Sequence, residues 1–147
     1  MTKHMLPLIV LSSALVSGPV QQAKTPRFRT ALKVSGDSEI ASTVEGCLKQ
    51  ALDSLGDVDL SEAKPDYTIN VIALEVYNKE KTPMGIALTW LTLYHPKGFF
   101  EDCSLMEDYR LLTVEQEDLQ SSCQKLVERF NTKSLEPHRK LFQKEKP

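Results

Sequence analysis

Histidine, cysteine and glycine, from which many catalytic and cofactor centres are assembled, are scarce in this chain of 147 residues: three, three and six respectively. No two cysteines stand in a CxxC pair and no histidine sits at ligand spacing from a cysteine, which argues against a structural zinc site. A glycine-rich phosphate cradle, a GxSxG elbow, an HExxH pair and a dinucleotide fingerprint are all missing. The enzyme classes argued from those motifs therefore drop out, and no cofactor is expected. Internal repeats and low-complexity runs are absent. Charge of one sign is also lacking: 18 Lys plus Arg oppose 20 Asp plus Glu, a net of −2. Such a balance gives no basic field for nucleic acid. No Asn-x-Ser/Thr sequon occurs, compatible with a bacterial source.

What is present begins at the amino terminus. A short lead with Lys3 precedes an uncharged run from Met5 to Val16, then Ser17-Gly18-Pro19 and a polar exit to Ala23. This is the anatomy of a secretory signal peptide over residues 1–23. The run falls short of the about 20 apolar residues that cross a bilayer, and no cysteine follows it to carry a lipid. Cleavage after Gly18 places Pro19 against the peptidase, whereas cleavage after Ala23 avoids it. The expected location is secreted or periplasmic, with the membrane involved only through the export signal.

Export decides how Cys47, Cys103 and Cys123 are read, because an oxidising compartment favours a bridge with one thiol left over. Cys47 falls in a helical apolar stripe, so the preferred disulfide is Cys103–Cys123. Its loop of roughly 20 residues is worth about 3 kcal/mol in the chain-entropy model. Cys47–Cys123 is the rival pairing if two helices pack side by side.

The remaining chain reads as one domain over residues 24–132 and a basic, partly helical tail over 133–147. Arg27 to Val34 alternates, with Phe28, Thr30, Leu32 and Val34 on one face and Arg29, Ala31 and Lys33 on the other, as in a half-buried strand. Ser38 is placed to cap an amphipathic helix carrying Ile40, Val44, Cys47, Leu48, Leu52 and Leu55, closed by Gly56 as a left-handed cap. Asp57 to Leu60 is a short strand. Tyr67–Tyr77 and Ile86–Tyr94 are β-branched-rich strands joined as a hairpin, apolar on both faces, which implies cover on each side. Leu105 to Leu112 is a further strand. Thr113 and Gln116 form a capping-box pattern for a second helix with Leu119, Cys123, Leu126, Val127 and Phe130, ended by Asn131-Thr132. Leu135, Leu141 and Phe142 are the only anchors of the tail. The expected class is α+β: a mostly antiparallel sheet of four or five strands with two amphipathic helices on one face.

Candidate chemistry is thin. His95, at a strand end, is the best-placed general base; His4 leaves with the leader and His138 lies in the tail. The acids Glu101, Asp102, Glu107, Asp108, Glu115, Glu117 and Asp118 are dense but lack a calcium-loop spacing, so a solvated face is expected and no metal site. Lys24, Arg27, Arg29 and Lys33 near the start, and Lys133, Arg139, Lys140, Lys144 and Lys146 near the end, form a positive patch if strand and tail are neighbours. Trp90, Tyr67, Tyr77 and Tyr94 are expected as core or cross-strand pairs.

The succession Phe28–Val34, Ser38–Leu55, Val58–Leu60 and Pro65-Asp66-Tyr67 leading into a long strand resembles the TolB amino-terminal domain and the outer-membrane activators of peptidoglycan synthases. The resemblance implies a non-catalytic, protein-binding role in a bacterial envelope and transfers no functional residue. The expected function is thus a secreted or periplasmic interaction domain whose partner is another envelope protein. The alternative is a small hydrolase or ligand-modifying enzyme using His95 and nearby carboxylates.

Overall fold

The computed structural model describes residues 26–97 and 103–144. The leader read over 1–23, and Lys24, Gly98, Phe99, Phe100, Glu101, Asp102 and Lys146, lie outside the described residues. The elements are β1 (Phe28–Gly36), α1 (Ser38–Asp53), β2 (Val58–Leu60), β3 (Tyr67–Tyr77), β4 (Pro83–Tyr94), β5 (Leu105–Val114), a 3₁₀ turn (Gln116–Asp118), α2 (Leu119–Phe130), a π-helical turn (Asn131–Leu135) and α3 (Glu136–Lys144).

The class is α+β, and the five strands lie in the order β2-β1-β3-β4-β5. The expected hairpin forms with Tyr67 opposite Tyr94 and Ile72 opposite Thr89, and β5 adds antiparallel to β4. Strand β1 differs: it pairs parallel with both β2 and β3, so the sheet is mixed. Helix α1 is a crossover that returns the chain to the end where β1 began, so β2 runs alongside β1 in the same direction.

Period-two alternation then decides what is buried. Phe28, Thr30, Tyr67, Ile69, Val71, Leu88 and Trp90 face inward and are at most a few per cent exposed. Against them pack Val44, Leu48 and Leu52 of α1 and Cys123, Val127 and Phe130 of α2. Each fully buried large apolar side chain contributes about 1.5–3 kcal/mol. The Trp90 indole N–H donates to Thr92 Oγ1 at 2.9 Å, which satisfies its one polar atom inside the core. Gly36 is obligatory: at φ +127° a Cβ there would sit 1.9 Å from the Ala73 carbonyl oxygen. α1 ends earlier than the sequence pattern, at Asp53 with Ser54 as its C-cap, and Gly56 takes a left-handed φ of +76° two residues beyond that cap.

Three local expectations change. Asp37, not Ser38, stands at the N-cap of α1, and its carboxylate accepts the Glu75 N–H at 2.8 Å, tying the helix start to β3. Thr113 belongs to β5, so the capping box does not form. α2 does stop at Phe130 with Asn131 as its C-cap, but the chain does not turn away there. Thr132 Oγ1 donates back to the Glu128 carbonyl at 3.0 Å, and the widened turn carries the chain on into α3. Pro137 lacks an N–H for the carbonyl one turn back, and the π turn immediately precedes it.

The tail is consequently part of the domain rather than an appendage. Leu135 is fully buried, and Arg139 donates to both Asp57 carboxylate oxygens at 2.6 and 2.8 Å and to Asn131 Oδ1 at 2.6 Å. Leu141 and Phe142 stay exposed, although the Phe142 ring approaches that of Phe28, with centroids 6.3 Å apart. Among the described residues nothing covers the β3–β5 part of the sheet face opposite α1 and α2, where Ile72, Leu74, Tyr109 and Leu111 are exposed and the apolar character of both hairpin faces implied cover.

Arg129 reaches from α2 to Asp108 on β5 through two hydrogen bonds of 2.6 and 2.8 Å. The guanidinium holds the Asp108 carboxyl below the usual carboxylate range. A depressed folded-state value means the stabilisation is present above the ordinary Asp value and fades as pH falls through the lowered one. Chemical denaturation between pH 2 and 5 should show stability falling with acidification in the wild type and a shallower slope in Asp108→Asn. For the tail, Leu135→Ala should cost about 2–5 kcal/mol, whereas Leu141→Ala stays within about 0.5 kcal/mol, both read from urea midpoints.

Candidate functional site

The site grows from a topological necessity. Strands β2 and β3 lie on opposite sides of β1, yet residues 61–66 alone connect them. The connection crosses β1 on its outward face: Ser61 N–H donates to the Thr30 carbonyl at 3.0 Å and Asp66 N–H to the Arg29 carbonyl at 2.7 Å. This explains why Ala31, which points away from the helices, is only 2% exposed. The crossing segment leaves Lys64 in the left-handed region at φ 47° ahead of Pro65, a conformation that a side chain such as lysine rarely adopts.

Between this segment, the outer face of β1 and the end of β4 lies an open cleft of about 740 Å³. Ala31 and Thr68 form its floor; Arg29, Lys33, Lys64 and Lys97 edge it, with Glu62 the one carboxylate in the lining. Asp66 pins the cleft together from behind. Its carboxylate accepts the Arg29 backbone N–H at 2.8 Å and the Lys97 ammonium at 2.5 Å, with the Arg29 guanidinium 3.8 Å away. Its carbonyl accepts the His95 N–H at 2.9 Å.

His95 lies in this cleft, half-buried. Its Nε2 is 2.7 Å from Thr68 Oγ1 and its Nδ1 2.9 Å from Ser104 Oγ. Hydroxyls both donate and accept, so either tautomer is satisfied. Among the described residues no carboxylate is a hydrogen-bond partner of the imidazole. His138 of the tail contacts the Tyr67 hydroxyl, which also donates to the Ser134 carbonyl at 3.2 Å. Burial pushes the Tyr67 phenol far up, so it stays protonated. Tyr67, Tyr94, His138, Phe28 and Phe142 surround a second, smaller cavity of about 290 Å³ at the same end of the sheet.

The other candidates disperse. Arg27 pairs with Asp59 and Arg139 with Asp57, so strand and tail are neighbours but these two cations are already neutralised. The positive patch that does form draws on Lys64 and Lys97, distant in sequence from Arg29 and Lys33. Asp108 is taken by Arg129. Tyr67 and Trp90 are core residues, Tyr67 faces Tyr94 across the hairpin at 5.4 Å, and Tyr77 is exposed beside Glu75.

The cysteines also differ from expectation. All three are free; Cys103 is exposed ahead of β5 while Cys123 is wholly buried on α2, so the Cys103–Cys123 bridge is not made. Cys123 instead neighbours Cys47 across the α1–α2 contact, and burial with the Cys47 thiol beside it pushes the Cys123 thiol up. Cys47 Sγ is 3.3 Å from Gln120 Oε1. Maleimide labelling of the folded chain should modify Cys103 alone, and denaturation without reductant should release two more thiols; release of none would mean that Cys47 and Cys123 are bridged.

No protein-family model matches the chain, and no curated protein matches it by sequence. Its fold is similar to that of protein XCC0632 from Xanthomonas campestris, of family DUF330. The TM-score is 0.55 at 13% identity, over 79% of this chain and 92% of that one. Two structures of the PelC dodecamer from Paraburkholderia phytofirmans also align. Their TM-scores are 0.45 and 0.46 at 10% and 11% identity, over 74% and 75% of this chain and 88% and 89% of theirs. At such identities the likeness to XCC0632 is one of fold.

Proposed function

We propose that this chain is a secreted or periplasmic, non-catalytic binding domain that docks another protein of the cell envelope on the uncovered face of its sheet. The observation that carries the reading is the outward surface of β3, β4 and β5. Ile72 is 45% exposed, Leu74 46%, Tyr109 54%, Leu111 67% and Met106 69%. The register places Ile72, Thr89 and Leu111 in one cross-strand row and Leu91 beside Tyr109 in the next, so these side chains adjoin. Contiguous exposed apolar surface of this kind marks interaction sites. Strand β5 is an edge strand, and its free backbone groups offer a partner strand further hydrogen bonds. The export-type leader supplies the location.

The hydrolase reading rests on His95 in its concave cleft between two hydroxyls. Among the described residues the imidazole has no carboxylate partner, and Asp66 is engaged by Arg29 and Lys97. Binding is the better-supported function.

Immobilised wild-type domain should capture a defined protein from envelope extract, and that purified protein should bind directly. Leu111→Asp with Tyr109→Asp should abolish both while shifting stability by no more than about 0.5 kcal/mol. Undiminished binding by the double variant, or no direct partner, overturns the reading. His95→Ala should leave any trace of esterase activity unchanged.

A further inference from the structure

The cationic cleft on the outer face of β1 is separate from the apolar docking surface and has a chemistry of its own. Arg29 and Lys33 point the same way from one strand, four residues apart, which spaces their Cα atoms by about 13 Å. Lys64 from the crossing segment and Lys97 from beyond β4 join them. Four cations thus face two carboxylates, Glu62 and the largely buried Asp66. Among the described residues Lys33 and Lys64 make no ion pair, although the chain as a whole is net negative. Lys64 sits at φ 47° in the crossing segment. The floor offers hydroxyl and imidazole groups at Thr68 and His95, and the volume of about 740 Å³ lies in the range of small-molecule sites.

We propose that this cleft binds an extended organic polyanion, one carrying several carboxylate or phosphate groups along its length. A single small anion would meet one or two of these cations, whereas charges strung along a chain engage the row on β1 and the flanking lysines together. The excess of positive charge in the cleft concentrates such a ligand, and salt weakens the attraction.

Titration calorimetry on the purified chain at low salt tests this with trigalacturonate and tripolyphosphate as the carboxylate and phosphate probes. Acetate, inorganic phosphate and neutral maltotriose are the controls. At least one of the two extended anions should bind, weaken at least fivefold on raising the salt to 0.3 M, and outcompete acetate and inorganic phosphate; the tighter of the two identifies the anionic group. The Lys33→Gln, Lys64→Gln double variant should lose at least tenfold in affinity with an unchanged unfolding midpoint. A charge-matched Lys140→Gln, Lys144→Gln variant on α3 should keep wild-type affinity. Absence of binding by both trigalacturonate and tripolyphosphate, or equal losses in the two double variants, overturns the proposal. Protein capture through Leu111 and Tyr109 is a different readout and is unaffected by either result.

Discussion

The crossing of β1 by residues 61–66 is the constraint on which the rest of the molecule depends. A parallel strand on each side of β1 forces a short connection over its outward face, and only a small residue there lets the backbone pass. Ala31 is that residue. Once the connection lies across the strand, Asp66 arrives where it can bind Arg29 and Lys97 and accept the His95 N–H, so three strand ends are held by one side chain and its peptide group. The cleft, its charge and the setting of His95 all follow from that passage.

The two sides of the sheet have different fates because the described residues supply one helical layer. Helices α1 and α2 cover the inward face with complementary apolar stripes, and α3 adds a bidentate ion pair at the rim of that layer. The outward face is divided: a cationic cleft at β1, and an apolar surface at β3 to β5. Leu111 and Met106 stay in water there, Met106 opposite Leu93 and Leu111 opposite Thr89.

Much of the fold was legible because it rests on local periodicity. The alternation of β1, the stripe of α1, the β-branched run of β3 and the hairpin partner each declare themselves within a dozen residues, and the observed boundaries of β3 match the pattern residue for residue. The direction of β1 was not legible, since parallel and antiparallel neighbours present the same alternation. Asn131-Thr132 read as a helix stop because both residues favour turns, yet their side chains bond Arg139 and the Glu128 carbonyl and let the helical path continue. The cleft was hidden for a different reason. Arg29 and Lys33 look like the wet side of a strand until topology brings Lys64 and Lys97 beside them. Ser104, which completes the surroundings of His95, carries no signal at all in the sequence. The two cysteines of the preferred pair stand apart in the fold, Cys123 inside the helix layer and Cys103 at the surface.

Helix α3 has a consequence for how the polypeptide can be cut and rejoined. With Phe142 against Phe28 and Arg139 bonded to the residue that precedes β2, the first strand and the last helix finish side by side. A short flexible tether between them would close the described body into a ring. New termini could then open at the 78–82 hairpin turn, where Asn78 already organises the backbone without help from the core.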